Sequence, residues 1–290
     1  MLRIDAHHHL WLYNVVEYGW LEGDLAPLRR DFVVENLIKE AARANVTGTV
    51  AVQARQSIEE TDWLLKIAES AALIHGVVGW LPLREPQFPA LLEGYREQPL
   101  LKGLRHVVQG EQPGFMDDPA FLSGMASLTG SGLTYDILIF EQQLEEAIRL
   151  VDRFPEQVFV LDHIGKPCIS AGELHPWADR IRELARRGNV YCKLSGMITE
   201  ANPQRWTSSE LKPFFEIVLE AFSPSRLMAG TDWPVLLVGC SYENWWALLS
   251  EWVGTLSTGE QAWILGLTAA GTYHLTVAPQ TERKMNGADA

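Results

Sequence analysis

A recurrence constrains this chain more than any single motif does. Short apolar or β-branched runs lie at residues 2–6, 48–53, 75–81, 101–108, 133–139, 158–163, 190–194 and 227–231, each followed by a capped or amphipathic segment. Apart from the long first interval, their spacing is that of one βα unit, which predicts eight strands with seven helices between them. The helical segments carry physical signatures. Ser57 and Glu60 stand at capping-box spacing ahead of Leu64, Leu65, Ile67 and Ala68, which repeat at a helical period. Residues 142–154 put Leu144, Ala147, Ile148 and Val151 on one face before Pro155 ends the helix. Residues 177–187 bury Ile181, Leu184 and Ala185 ahead of Gly188, and Ser257 with Glu260 opens the last helix.

Alternating strand and helix admits either a barrel or an open doubly wound sheet. The open sheet normally carries a Gly-rich first βα turn, whereas the first run here leads into His7-His8-His9. Eight units in 290 residues match a single α/β barrel, which typically takes about 250. No repeat, low-complexity tract or linker divides the chain, so one barrel is expected over residues 1–275, with a polar tail at 276–290.

Charge narrows the partners. With 24 Lys+Arg against 37 Asp+Glu, the formal net charge is −13, and the averaged field repels nucleic acid and anionic membrane. No apolar run reaches the roughly 18 residues of a membrane span, and the N-terminus lacks a leader pattern, so a cytoplasmic protein is expected. Cys168, Cys192 and Cys240 are widely spaced without a CxxC pair, which argues against a disulfide framework or a structural zinc cage and fits a reducing compartment.

In a barrel the C-terminal ends of all eight strands converge on one face, so polar residues at those ends become neighbours. On the first strand, alternation sets His7 and His9 beside Asp5 and sends His8 to the other side. Two imidazoles at i, i+2 can grip a metal, a carboxylate or a carbonyl. Strand four ends in Arg105-His106, of which alternation turns only one fully into the mouth, and Arg105 offers a permanently charged donor fork. Strand six is apolar up to Asp162 and His163, two ionisable groups that need partners if buried. On strand eight, Asp232 follows an apolar run beside Trp233 and suits a general base. Its alternative role as a helix N-cap is weakened by Pro234 and the apolar residues 235–238. Lys193 and Ser195 share a face of strand seven and read as salt-bridge structure rather than a nucleophile pair. Lys166, in the turn after strand six, joins Arg105 and the histidines in a mouth expected to be locally cationic and to meet substrate. Of eleven Trp, Trp11, Trp20 and Trp80 lie where indoles make platforms for a sugar-like ring. Most of the set reads as core, with Trp20 and Trp233 set apart as substrate contacts.

Collinear blocks carry a resemblance. Asp5-Ala6-His7, His9-Leu10-Trp11, Tyr18-Gly19-Trp20-Leu21, Val52-Gln53-Ala54, Lys102-Gly103-Leu104-Arg105-His106, Leu161-Asp162-His163-Ile164-Gly165-Lys166-Pro167, Cys192-Lys193-Leu194-Ser195-Gly196 and Gly230-Thr231-Asp232-Trp233-Pro234 together resemble the sugar-acid lactonase branch of the amidohydrolase superfamily. The likeness runs from the first strand to about Leu275. It implies a distorted (β/α)8 TIM barrel of the metal-dependent hydrolase type that opens a sugar-acid lactone of the fuconolactone, rhamnonolactone or galactonolactone kind. By the same likeness His7, His9, His163, Asp232 and Arg105 line the catalytic site, with Gln53 and His106 as substrate contacts. Strand five, Tyr135-Asp136-Ile137-Leu138-Ile139, has no histidine. A binuclear centre is therefore not expected, and one divalent ion, zinc by its donors, is placed on His7, His9, His163 and Asp232, its part in catalysis left open. The mechanism expected has Asp232 take a proton from water, His163 orient the water or protonate the leaving alkoxide, and the strand-one histidines, Arg105 or a metal meet the oxyanion. A zinc-dependent decarboxylase of an aromatic or muconate-type acid is the enzymatic alternative, and a catalytically silent sugar-acid-binding barrel the other. A small-molecule lactone is the expected partner, and a homodimer is allowed.

Overall fold

The computed structural model describes residues 1–277; most of the tail expected at 276–290 lies outside the described residues. Eight strands form one sheet in sequence order: β1 (Ile4–His8), β2 (Gly48–Val52), β3 (Ile74–Gly79), β4 (Leu101–Val107), β5 (Thr134–Leu138), β6 (Phe159–Leu161), β7 (Val190–Leu194) and β8 (Leu227–Ala229). Every consecutive pair is parallel. The ring closes just past the ends of β8 and β1, where the Asp232 N–H donates to the His7 carbonyl at 2.8 Å and the His9 N–H to the Trp233 carbonyl at 2.6 Å. This is the (β/α)8 TIM barrel that eight evenly spaced apolar runs require, since each parallel step needs a crossover that a helix supplies.

The crossovers that matter for the site are α1 (Val34–Arg43), α2 (Ile58–Ser70), α3 (Phe88–Gly94), α4 (Pro119–Leu128), α5 (Leu144–Arg153) and α6 (Trp177–Ala185). Ser57 caps α2 by accepting the Glu60 N–H at 3.2 Å, as the sequence spacing predicts. The Glu60 carboxylate, however, does not close the box on Ser57; it turns instead to the backbone N–H groups of Ala54 and Arg55. Ser257 and Glu260 make the full reciprocal box. No helix among the described residues is long and apolar enough to cross a membrane.

The interior of the barrel is layered. Toward the N-terminal ends of the strands, Ile4, Val50, Val52, Val78, Val160 and Met228 form a buried apolar plug closed by Tyr273 and Leu275. Alternate strand residues such as Leu104, Ile137 and Leu161 pack outward into a larger core shared with the helices. Above the plug the interior turns polar, with Thr134, Asp136, Lys193, Arg105 and Asp162 all buried. Their charges set the floor of the candidate site.

Candidate active site

Lys193 is fully buried, so its ammonium must be compensated. Asp136 of β5 supplies one carboxylate at 2.5 Å and Asp162, beyond β6, another at 3.0 Å. Arg105 of β4 meets Asp162 at 2.9 Å, while Gln53 holds the same guanidinium through both its side chain and its backbone carbonyl. Two cations and two carboxylates thus interlock, and the Tyr273 hydroxyl donates to Asp136 at 2.7 Å from below. The salt-bridge reading of Lys193 fits this geometry. Asp162 is held well below the usual carboxylate range: burial opposes ionisation, but Lys193, His7 and Arg105 outweigh it.

His7 stands on this floor. Its Nε2 lies 3.3 Å from Arg105 Nη1, and its Nδ1 lies 3.2 Å from Lys193 Nζ and 3.3 Å from Asp162, so both ring nitrogens face a cation. His9 Nδ1 donates to the Val52 carbonyl at 2.8 Å, which turns its Nε2 toward Asp232. The two Nε2 atoms are 3.2 Å apart, and Asp232 Oδ1 lies 3.2 Å from His9 and 3.7 Å from His7. His8 turns away to Thr49 at 3.0 Å. Asp5 does not join His7 as strict alternation would have it. A register shift between Asp5 and His8 intervenes, and Asp5 instead accepts from the Thr231 N–H and hydroxyl and ties β8 to β1.

The last imidazole arrives by an irregular route. β6 stops at Leu161, and His163, Ile164, Gly165 and Lys166 all adopt positive φ, as does Asp232. Non-glycine residues rarely take this conformation, and a β-branched one such as Ile164 is a marked outlier, a form of strain that gathers at functional sites. Packing over-determines it: the Trp177 indole donates to the Ile164 carbonyl at 2.8 Å, and the Trp245 indole to the Gly230 carbonyl at 2.7 Å behind the Asp232 turn. The Ser195 hydroxyl fixes His163 Nδ1 at 2.9 Å. Burial pushes His163 down to about 4 despite the pull of Asp232 and Asp162, so it is neutral at physiological pH. Burial alone would raise Asp232; His163, His9 and Lys166 outweigh it, and the carboxyl lies below its ordinary value and is ionised.

Above these groups opens a cavity of about 690 Å³, lined by His9, Arg105, His163 and Asp232 at its base and by Trp20, Arg55, Lys166 and Glu200 higher up. The expected residues therefore divide. His7, His9, His163, Asp232 and Arg105 converge, Lys166 lies in the cavity wall, and Trp20 presents an exposed ring there, edge-on to buried Trp11. His106 does not reach the mouth: it points to the helical side, stacked on Phe115 at 4.7 Å and bonded to Trp80 and Glu111. Alternation after Arg105 sends it there. Trp233 is core, packed edge-on against Phe32. Gln53 supports Arg105 from behind. Nor is the mouth cationic: Lys166 pairs with Glu200, Arg55 with Glu17, and Arg105 with Asp162. Arg55, Glu60, Asp136 and the Ser195–His163 bond were not singled out in the sequence as parts of a site; the signals were polar residues at strand ends followed by a capping pair.

An amidohydrolase family model matches residues 4–275, nearly the whole barrel. The chain belongs to the amidohydrolase family. Among relatives of this amidohydrolase, an L-fucono-1,5-lactonase from Burkholderia multivorans is 37% identical over 94% of this chain and 96% of its own length. An L-fucono-1,5-lactonase from Burkholderia ambifaria is 32% identical over 86% of each chain. A crystal structure of a Burkholderia multivorans amidohydrolase with bound zinc superposes with a TM-score of 0.91 at 38% identity, covering 95% of this chain and 100% of that one. The chain is thus a hydrolase, and a silent binding barrel is set aside.

Among the described residues of this amidohydrolase, two groups of donors lie close enough to hold an ion: His7, His9 and Asp232, and His7, Asp162 and His163. They share His7, so the four-residue set of the sequence is split, with His163 apart from His9 and Asp232. The second group is already occupied by charge, because Asp162 is bound to Lys193 and Arg105. The first fits a metal. Its separations of 3.2, 3.2 and 3.7 Å approach the edge of a tetrahedron with zinc–nitrogen bonds near 2.0–2.1 Å, roughly 3.3 Å. Two imidazole nitrogens and a carboxylate also converge there, an arrangement that a shared cation or proton favours.

Proposed function

We infer that the protein hydrolyses a sugar-acid lactone to the free acid, with Asp232 activating the water. The observation carrying this reading is the convergence of an ionised Asp232, two imidazole Nε2 atoms and Arg105 at the base of a cavity large enough for one sugar ring. Its kinship with the two lactonases supports the substrate class.

Asp232, ionised at neutral pH, accepts a proton from water as the water oxygen bonds to the lactone carbonyl carbon. The carbonyl oxygen gains the negative charge, and the permanently charged Arg105 at the base of the cavity favours it. Collapse breaks the ring C–O bond, and the alkoxide takes back a proton, from Asp232 or by way of neutral His163, whose Nδ1 is bonded to Ser195. The carboxylic acid so formed then ionises and releases one proton to solution. A divalent ion of the zinc type would be held by His7, His9 and Asp232 and would supply Lewis-acid polarisation of the carbonyl. Arg105 retains Asp162 as partner if His7 turns to such an ion.

A decarboxylase of an aromatic or muconate-type acid fits less well, because its carboxylate substrate calls for a cation with no carboxylate of its own, and Arg55, Arg105 and Lys166 all have one. Acid release from a panel of aldono-1,4- and aldono-1,5-lactones, followed with a pH indicator with and without a chelator, tests the reading. Turnover of at least one sugar lactone is expected. After chelation the rate should stay within about tenfold, since a lactone's alkoxide leaves readily and Arg105 remains. No opening of any lactone would overturn the lactonase reading, and loss of all activity on chelation would overturn the secondary role given to the metal.

A further inference from the structure

The cavity wall holds a charged pair that the hydrolytic chemistry does not use. Arg55 follows the end of β2, and its guanidinium meets Glu17 of the β1–α1 loop at 2.5 Å through Nη1 and faces Glu60 at 3.5 Å through Nε. It also lies 5.6 Å over the Tyr18 ring. Its position is set from below. Glu60, buried at the start of α2, accepts the N–H groups of Ala54 at 3.0 Å and Arg55 at 2.7 Å, so the backbone carrying the guanidinium is clamped to the helix. No described residue takes a hydrogen bond from Arg55 Nη2.

Arg55 and Glu17 both line the catalytic cavity, and both also line a second cavity of about 410 Å³ bordered by Leu12, Asn14, Tyr18 and Trp63. The pair is therefore a partition, with one face toward the reacting centre. Its chemistry limits what it reads. A lone arginine would attract a carboxylate, but Glu17 fills that role and repels a second anion. A guanidinium donor beside a carboxylate acceptor instead complements neighbouring hydroxyls, each of which can both accept and donate. Arg105 is less suited to this, since Asp162, Gln53 and His7 take both its Nη groups and only its buried Nε is left without a partner.

We propose that Arg55 and Glu17 are the specificity pair of the site, binding two adjacent hydroxyls of a neutral polyhydroxylated lactone and excluding carboxylated ones. The proposal rests on the lactonase reading and adds to it which residues choose the ring. Glu60 acts through Arg55 and is a positioning residue.

The test compares L-fucono-1,5-lactone, unsubstituted δ-valerolactone and a carboxylated δ-lactone on the wild type, Arg55→Ala, Arg55→Lys and Glu17→Gln. Arg55→Ala should raise KM for the hydroxylated lactone by roughly tenfold to a hundredfold, the range expected when a site loses a charged hydrogen bond to a substrate hydroxyl. Its kcat, and kcat/KM for δ-valerolactone, should stay within about threefold. Lysine should restore part of the loss. Glu17→Gln changes a half-exposed loop residue and keeps the fold testable should Arg55→Ala destabilise it. It should weaken the hydroxylated lactone and improve the carboxylated one. Equal losses on hydroxylated and unsubstituted lactones, or no change with either variant, would overturn the proposal and leave the lactonase reading standing. A wild type that opens no lactone would overturn both.

Discussion

Histidine 163 shows how the site combines strain with protonation control. It sits at positive φ, is held by Ser195 through Nδ1, and is neutral because burial lowers it to about 4. His8 behaves alike for a structural reason: buried against Thr49, it is pushed down to about 3, and His7 also lies well below its ordinary value, chiefly through burial. The linkage has a definite sign. In the unfolded chain these imidazoles protonate below about 6.5, while in the fold they stay neutral to about 4 or lower, so protons favour the unfolded state as pH falls through that window. Asp5, Glu60, Asp136 and Glu200 act oppositely, since burial raises them, the first two to about 6 and about 7, and they offset part of this loss. The melting temperature should therefore fall between pH 6.5 and 4, and His8→Gln should make that slope shallower in thermal melts. A slope unchanged by the substitution would contradict this role of His8. At this scale the sequence was readable where polarity alone decides, as at His7, His9 and Asp232, whose strand-end positions after apolar runs mark them. It was not readable where a side chain's direction depends on tertiary packing. Arg105 and His106 are adjacent and both polar, and only the register of β4 sends one inward and the other onto Phe115.

Elements position these residues by their irregularities. The apolar runs marked β2, β4, β5 and β7 closely, since period and burial suffice there, but β6 is shorter than its run because Asp162–Gly165 leaves extended geometry. Left-handed non-glycine residues have no sequence signature, so this turn was hidden. Its neighbour Gly196 was visible only as a letter in a matching block. At φ +67° it faces the His163 ring, and a Cβ there would lie 2.6 Å from the imidazole Cγ. Gly196→Ala should displace His163, cost about 1–3 kcal/mol in denaturant unfolding through clash and backbone strain, and lower kcat more than it raises KM. Wild-type stability and turnover in this variant would mean that the close approach does not matter.

Across the whole molecule, an apolar plug, an ion layer and an open cavity are stacked along one barrel axis. The composition suggested an acidic surface around a cationic mouth; instead the interior charges are matched nearly one for one. Lys193 joins Asp136 and Asp162, and its loss leaves buried carboxylates without their shared cation. Lys193→Met should destabilise the protein by about 3–5 kcal/mol, as removal of one partner of a buried ionic cluster does, read from equilibrium urea unfolding. A change under about 1 kcal/mol would show that the layer contributes little. The tryptophan-rich composition also finds a structural explanation. Trp177 and Trp245 brace the two turns that carry His163 and Asp232, and Trp20 faces the cavity.

In the proposed reaction Asp232 is the base that activates water against a lactone. Its most direct test is the single-substitution comparison of Asp232→Asn with the wild type on L-fucono-1,5-lactone and related sugar lactones, at equal folded concentration by circular dichroism. Asparagine keeps the shape of the side chain and cannot take the proton, so kcat should fall by about a thousandfold or more, with both proteins equally folded. A folded Asp232→Asn enzyme opening the lactone at near the wild-type rate would contradict the account.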